Sequence, residues 1–170
     1  LRGMRAENIP YRGVIFVGLM LTAAGPRVLE FNCRFGDPEA TVLLPAIRSD
    51  VLALLAATAR GELSTATVEV DATIRVAVVA AQPGYPGRVP TGVLIEGLAD
   101  AANAPDVDLL HAGTRCDGEG RCITAGGRVL VAVAEGATVA VARTRAYSAL
   151  DPIHFGGMQP VIRRDIGLVS

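Results

Sequence analysis

V-L-E-F-N-C-R-F-G-D-P-E-A-T, residues 28–41, joins an apolar strand to a helix opening and plants charged groups on the way. Side chains alternate between the faces of a strand. Glu30, Asn32 and, if the strand continues, Arg34 therefore project to one side, while Leu29, Phe31 and Cys33 project to the other. Two oxygen donors and a guanidinium in a row suit a hard divalent cation that carries a nucleotide phosphate and keeps its remaining positions for water and phosphate. The same alternation describes a solvated sheet surface, and both readings stand at this point. Asp37 before Pro38 reads as a helix cap, its carboxylate satisfying free backbone N–H groups and the proline taking the first helical position. Capping and ligand contact are compatible roles for Asp37.

Upstream of this stretch, Tyr11–Thr22 reads as a strand, Ala23–Pro26 as a turn and Arg27–Cys33 as the returning strand of an antiparallel hairpin. Downstream, Pro38–Ala46 reads as a short helix interrupted by Pro45. Ser49 is expected to cap a second helix, with Leu52, Leu55, Ala56 and Ala59 on one face and Gly61 stopping it. From about Thr65 the texture changes to short strands and turns, which places a boundary near residue 66 and divides the chain into 1–66 and 67–170. Thr67–Val70, Ile74–Ala80, Val93–Glu96, Asp108–Ala112, Arg121–Thr124 and Arg128–Ala134 are strand candidates. Gln82–Gly92 is a loop rich in Pro and Gly. A helix over Thr138–Leu150 turns Val139, Ala142, Ala146 and Leu150 to one side, and the tail Ile153–Ile166 reads as loop and a last strand. The fold class is α+β: a hairpin with helices, then a small, mainly antiparallel β domain with a packed helix.

The 170 residues are 51% hydrophobic and carry a net charge of -1, so a core is available and no electrostatic case exists for nucleic acid or an anionic membrane. Aromatic residues are only 4%, too few for base-stacking platforms. The apolar run Gly13–Gly25 is shorter than the roughly 20 residues of a membrane span and reads as a buried strand. No charged start, apolar stretch and cleavage site follow one another, so a cytoplasmic chain with reduced thiols at Cys33, Cys116 and Cys122 is expected. Cys116 and Cys122 lie near His111, but their spacing matches no common zinc pattern and a fourth ligand is missing. Gly126-Gly127 and Gly84-x-x-Gly87 read as turns rather than phosphate-cradling loops, since neither joins a strand to a helix. His111 and His154 are expected to be structural. Arg163, Arg164 and Asp165 read as a solvated terminus or a packing contact.

The run VLEFNCRFGDPE, with YRGVIFVGLML before it and VLLPAIRSDVLALL after it, resembles the phosphoribosylamine-glycine ligases, also called glycinamide ribonucleotide synthetases, of the ATP-grasp superfamily. HAGT at 111–114, TAGGRVL at 124–130, IHFGGM at 153–158 and RRDIG at 163–167 extend the resemblance over nearly the whole chain. It implies that residues 1–66 are the C-terminal part of an ATP-grasp domain and 67–170 the β-rich C-terminal domain. It also implies an ATP-dependent ligation of glycine to 5-phosphoribosylamine in purine synthesis, through glycyl phosphate. Carried over residue by residue, Glu30 and Asn32 would hold Mg2+ or Mn2+ against the ATP phosphates. Arg34 would stabilise the anionic substrate or the transferred phosphoryl group, and Asp37 would shape the substrate pocket. Such chemistry needs positioning and charge neutralisation and no Ser, Cys or His nucleophile.

Two departures from the family pattern bear on the site. Tyr11–Thr22 contains none of the further metal-binding acid that many ATP-grasp enzymes place there, and Thr41 stands where a long polar side chain is common. The glycine-rich phosphate loop, the adenine-gripping residues and the sugar-phosphate domain of the family all lie upstream of anything in this sequence. The upstream part is therefore expected to be needed to complete the site, and the chain alone is expected not to catalyse ligation. Two alternatives stay open: another ATP-grasp carboxylate-amine ligase, and a non-catalytic module that retains the fold.

Overall fold

The computed structural model describes residues 1–168 and divides between Ala72 and Thr73 into two compact units. In the first, α1 (Arg2–Ala6) precedes an antiparallel hairpin of β1 (Phe16–Thr22) and β2 (Gly25–Asn32). Thr22 closes its tight turn, the hydroxyl donating to Gly25 O at 2.7 Å and accepting from Ala24 N at 3.3 Å. Phe16 pairs with Asn32 and Gly18 with Glu30, but Leu19 pairs with Val28. Leu29 is thus an extra residue, a bulge that bends β2 just before the charged positions.

α2 (Ala40–Ala46) starts later than the Asp-Pro signal suggests. A turn over residues 37–39 intervenes, with Ala40 N donating to Gly36 O at 3.0 Å and Thr41 N to Pro38 O at 2.9 Å. Glu39 rather than Asp37 occupies the cap position of this helix. The cap of α3 (Val51–Arg60) also differs from expectation: Asp50 accepts from Ala53 N at 3.0 Å, whereas the Ser49 hydroxyl reaches Thr67 O and Glu69 N at 3.1 and 2.8 Å. Gly61 ends α3 in the left-handed conformation, as its sequence position suggests. The inward side of α3 is buried Ala57 with half-buried Leu54; of the face read from the sequence, Ala56 is half-buried while Leu52, Leu55 and Ala59 are exposed, which corrects that face. A short 3-10 turn (Leu63–Thr65) follows. Residues 67–71 make a single bridge, Val70 to Ile47, instead of a strand. Arg48 N to Glu69 O at 2.8 Å, Asp71 N to Ala46 O at 2.9 Å and the Arg48–Asp71 ion pair at 2.8 Å tie them to the first unit.

The second unit contains β3 (Ile74–Ala81), β4 (Ile95–Glu96), α4 (Leu98–Ala102), β5 (Val107–His111), β6 (Thr114–Cys116), β7 (Cys122–Thr124), β8 (Arg128–Gly136), α5 (Val139–Leu150) and β9 (His154–Phe155). Its main sheet has the order β3-β8-β5, all antiparallel, so β8 is hydrogen-bonded on both sides. β8 is buried without a break from Val129 to Ala134, which is why its sequence is apolar at every position rather than at alternate ones. α5 packs against β8 and β3 through Ala142, Ala146, Ala149 and Leu150, spaced as one helix face. Gly136 permits the tight entry to this helix, because a Cβ there would lie 2.6 Å from Ala142 N. Thr138 caps α5, accepting from Val141 N at 3.2 Å. The tail is held by side chains more than by strands: Tyr147 donates to Arg163 O at 2.6 Å and Arg143 Nε to Ile166 O at 3.0 Å. Its strand content is β9, paired with β4, plus isolated bridges between Val161 and Ala81 and between Phe155 and Met158. α4 and β6 are too short to show a period in the sequence. The α+β class, with hairpin and helices followed by an antiparallel sheet carrying a packed helix, is the architecture observed. Among the described residues no helix is long and apolar enough to cross a membrane.

Candidate functional site

The charged face of β2 is built at its last turn of alternation. Asn32 Nδ2 donates to Glu30 Oε1 at 2.8 Å, so the two side chains share a face as the strand period requires. The bond uses one of the two Nδ2 hydrogens and leaves Asn32 Oδ1 and Glu30 Oε2 as further acceptors. Cys33, one residue past β2, lies beside Tyr11; desolvation, with that thiol's hydrogen bond second, pushes the Tyr11 phenol above its ordinary pKa.

Glu30 opens onto a shallow depression of about 430 Å³ whose lining also includes Phe16, Gly18 and Glu39. Gly18 faces Glu30 across the hairpin, and a Cβ there would sit 3.1 Å from Glu30 Cγ. The position on β1 from which another acid would reach the pair thus has no side chain. Gly36 is buried because the Phe16 ring and the Glu39 carboxylate pack onto its Cα; an added Cβ would lie 2.9 Å from Phe16 Cδ2. Glu39 is the residue that strand alternation misses. It reaches the depression because the turn at 37–39 folds back over Gly36, and its signal in the sequence is its place at the end of R-F-G-D-P-E.

Arg34 and Asp37 stand beyond the end of β2. Arg34 Nη1 donates to Phe35 O at 2.7 Å, and Asp37 lies in the turn that leads to α2. The structure therefore brings Glu30 and Asn32 into contact and leaves Arg34 on the adjoining loop instead of in one row with them. Among the described residues no group of three or more His, Cys, Asp or Glu side chains is placed to hold a metal. Two hard oxygen donors with open surroundings nonetheless fit a hard divalent cation that completes its shell with phosphate and water.

The profile described as "Phosphoribosylglycinamide synthetase, C domain" matches residues 75–169, and that described as "Phosphoribosylglycinamide synthetase, ATP-grasp (A) domain" matches residues 1–40. The chain belongs to the phosphoribosylglycinamide synthetase family. The family's ATP-grasp match contains Glu30, Asn32, Arg34, Asp37 and Glu39. A phosphoribosylamine–glycine ligase of Caulobacter vibrioides is 45% identical over 168 residues, which cover 98% of this chain and 39% of that one. The trifunctional purine biosynthetic protein adenosine-3 of Gallus gallus is 43% identical over 168 residues, covering 98% of this chain and 16% of that protein. The crystal structure of phosphoribosylamine–glycine ligase from Thermotoga maritima matches with a TM-score of 0.77 and 33% identity, over 97% of this chain and 39% of that one. The chain thus spans well under half the length of these synthetase-family relatives.

Proposed function

We propose that this chain serves as part of a phosphoribosylamine-glycine ligase, which joins glycine to 5-phosphoribosylamine at the expense of ATP in purine synthesis. The observation that carries the reading is the Glu30–Asn32 contact at the end of β2, inside the segment that matches the ATP-grasp profile. Glu30 and Asn32 would hold Mg2+ or Mn2+ by their side-chain oxygens. A divalent ion there supplies neutralisation of the ATP phosphate charge. Arg34 leaves its carbonyl partner to place a guanidinium fork on phosphate or carboxylate oxygens, which rewards a planar donor more than a point charge. Asp37 shapes the substrate pocket from the turn, and Glu39 adds a carboxylate to the same depression. Glycyl phosphate, formed when the glycine carboxylate takes the γ-phosphoryl group of ATP and ADP leaves, is then attacked at its carbonyl carbon by the amine of the sugar, which expels phosphate.

Supporting the need for more protein around this site, the hairpin carries unburied apolar side chains, with Leu21 81% and Phe31 68% exposed. The rest of the ligase covers them and shields the acyl phosphate from water. A cytoplasmic setting agrees with the substrates.

Calorimetry of magnesium-dependent ATP binding tests this. Wild type and Glu30→Ala are measured alone and after mixing with a separately produced upstream segment of a related ligase. Binding that appears only in the wild-type mixture is expected. Equal binding by Glu30→Ala would remove Glu30 as metal ligand, and no binding in any arrangement of folded protein would favour a non-catalytic module.

A further inference from the structure

The hairpin of β6 and β7 places two cysteines directly opposite each other, Cys116 and Cys122. The backbone hydrogen bonds show which kind of pair they form. Asp117 N donates to Arg121 O at 2.9 Å, so the residues one step toward the turn are a hydrogen-bonded pair. On the other side, Thr124 turns both its backbone groups away from β6, its N donating to Val93 O at 2.8 Å and its O accepting from Gly92 N at 2.7 Å. Bonded and non-bonded pairs alternate along an antiparallel ladder, so Cys116 and Cys122 form a non-hydrogen-bonded pair, the kind with the closest side chains and Cα atoms about 4.5 Å apart. That separation lies inside the roughly 4.4–6.8 Å that a disulfide spans.

We propose that Cys116 and Cys122 are a reversible thiol modification site, closing to an intrahairpin disulfide by exchange with a small-molecule disulfide, with His111 as the base. The hairpin is already ordered for closure. Asp117 pins the intervening loop, its carboxylate accepting from Glu119 N and Arg121 N at 2.9 Å each and from Arg121 Nε at 2.8 Å. Cys116 is exposed and meets the reagent, while Cys122 is half-buried behind it. Burial first, and the neighbouring Cys116 second, push the Cys122 thiol above its ordinary pKa, so this sulfur needs a base to become a nucleophile. His111 Nδ1 lies 3.8 Å from Cys122 Sγ and 3.0 Å from Thr114 Oγ1. With the ring proton on Nε2, Nδ1 is an acceptor that the Thr114 hydroxyl and the Cys122 thiol both face, and rotation of that hydroxyl frees it for the thiol proton.

In the first step the Cys116 thiolate attacks one sulfur of the reagent, whose S–S bond breaks to release one thiolate and leave a mixed disulfide on Cys116. In the second, Cys122 passes its proton to His111 Nδ1, and its thiolate attacks Cys116 Sγ. The mixed disulfide breaks, and the departing thiolate recovers the proton from His111. Two protein thiols are oxidised and one small disulfide is reduced to two thiols. Neither ATP nor the ligase reaction enters, so this site stands apart from the function proposed above.

The test oxidises the reduced chain with glutathione disulfide, quenches in acid, alkylates with N-ethylmaleimide and reads the mass. The expected result is that alkylation falls from three thiols to one, Cys33, and that trypsin releases residues 116–121 joined to 122–128. Dithiothreitol should restore all three thiols. In Cys116→Ser the link is absent. In His111→Gln the same link forms at least about tenfold more slowly, with the Cys116–glutathione adduct accumulating, the loss expected for removal of a base. Three alkylated thiols throughout the oxidant series, an adduct on Cys116 that never gives way to the link, or a link through Cys33 would overturn the proposal. An unchanged closing rate in His111→Gln would overturn the part given to His111.

Discussion

Gly18 governs how Glu30 lies on the hairpin, since any side chain there meets Glu30 Cγ at 3.1 Å. Gly18→Val should push the Glu30 carboxylate off its contact with Asn32 while leaving the ladder intact, because valine suits a strand. Magnesium-dependent ATP binding by the chain completed with an upstream ligase segment should weaken about tenfold, as for other disturbances of a ligand's support. An unchanged affinity would separate the Glu30–Asn32 contact from metal holding. Asp117 gives a second test at this scale. Its pKa is lowered first by the Arg121 side-chain bond and then by the Arg121 backbone N–H. A lowered folded pKa contributes stability that is present above the unfolded value and disappears as pH falls through the folded one. The Glu119 and Arg121 amide resonances should therefore titrate with a midpoint below the ordinary Asp value of 3.8; a midpoint at or above it would contradict the bonding described. The pairing of Glu30 with Asn32 was legible in the sequence because period-two alternation survives on the far side of the bulge. Glu39 was not, because a turn that folds back on buried Gly36 has no period to read.

At the scale of elements, helix caps give the sharpest comparison between pattern and structure. Ser49 and Asp50 are both competent caps, and sequence alone cannot rank them; the structure decides because Ser49 is engaged with Thr67 and Glu69, leaving Asp50 to Ala53 N. Asp50→Ala should cost about 1 kcal/mol, and Thr138→Ala on α5 a similar amount. Urea denaturation followed by circular dichroism checks both; a loss in Asp50→Ala below about 0.3 kcal/mol would mean that the cap bond is not kept in solution. The buried face of α3 was misread for a related reason. V-L-A-L-L-A-A-T-A has almost no polar residues to mark the outward side, so periodicity carries little contrast, and Leu54 with Ala57 proves to be the inward pair. β8 and α5 were legible because each is long. β8 has an unbroken apolar run that only a central strand can bury, and α5 has alanines at helical spacing that let it approach the sheet closely.

At the scale of the whole molecule the two units differ in how much they bury. Among the described residues the buried apolar side chains of the first unit reduce to Ala57, whereas all the others, from Val76 to Phe155, lie in the second. Burial of apolar surface is the main favourable term in folding, so resistance to opening should follow the same division. Amide exchange of the chain alone should find β8, β3 and α5 the slowest, opening only with the second unit as a whole. The β1 and β2 amides should exchange orders of magnitude faster, since their hydrogen bonds are covered by few apolar contacts. If the upstream segment covers Leu21, Phe31 and their neighbours as proposed, adding that of a related ligase should slow β1 and β2 selectively and leave β8 unchanged. Protection of β2 equal to that of β8 in the chain alone would show that the hairpin's apolar face is already covered in solution. Selective slowing of the hairpin would instead tie the stability of the first unit to the upstream segment and support the ATP site proposed for it.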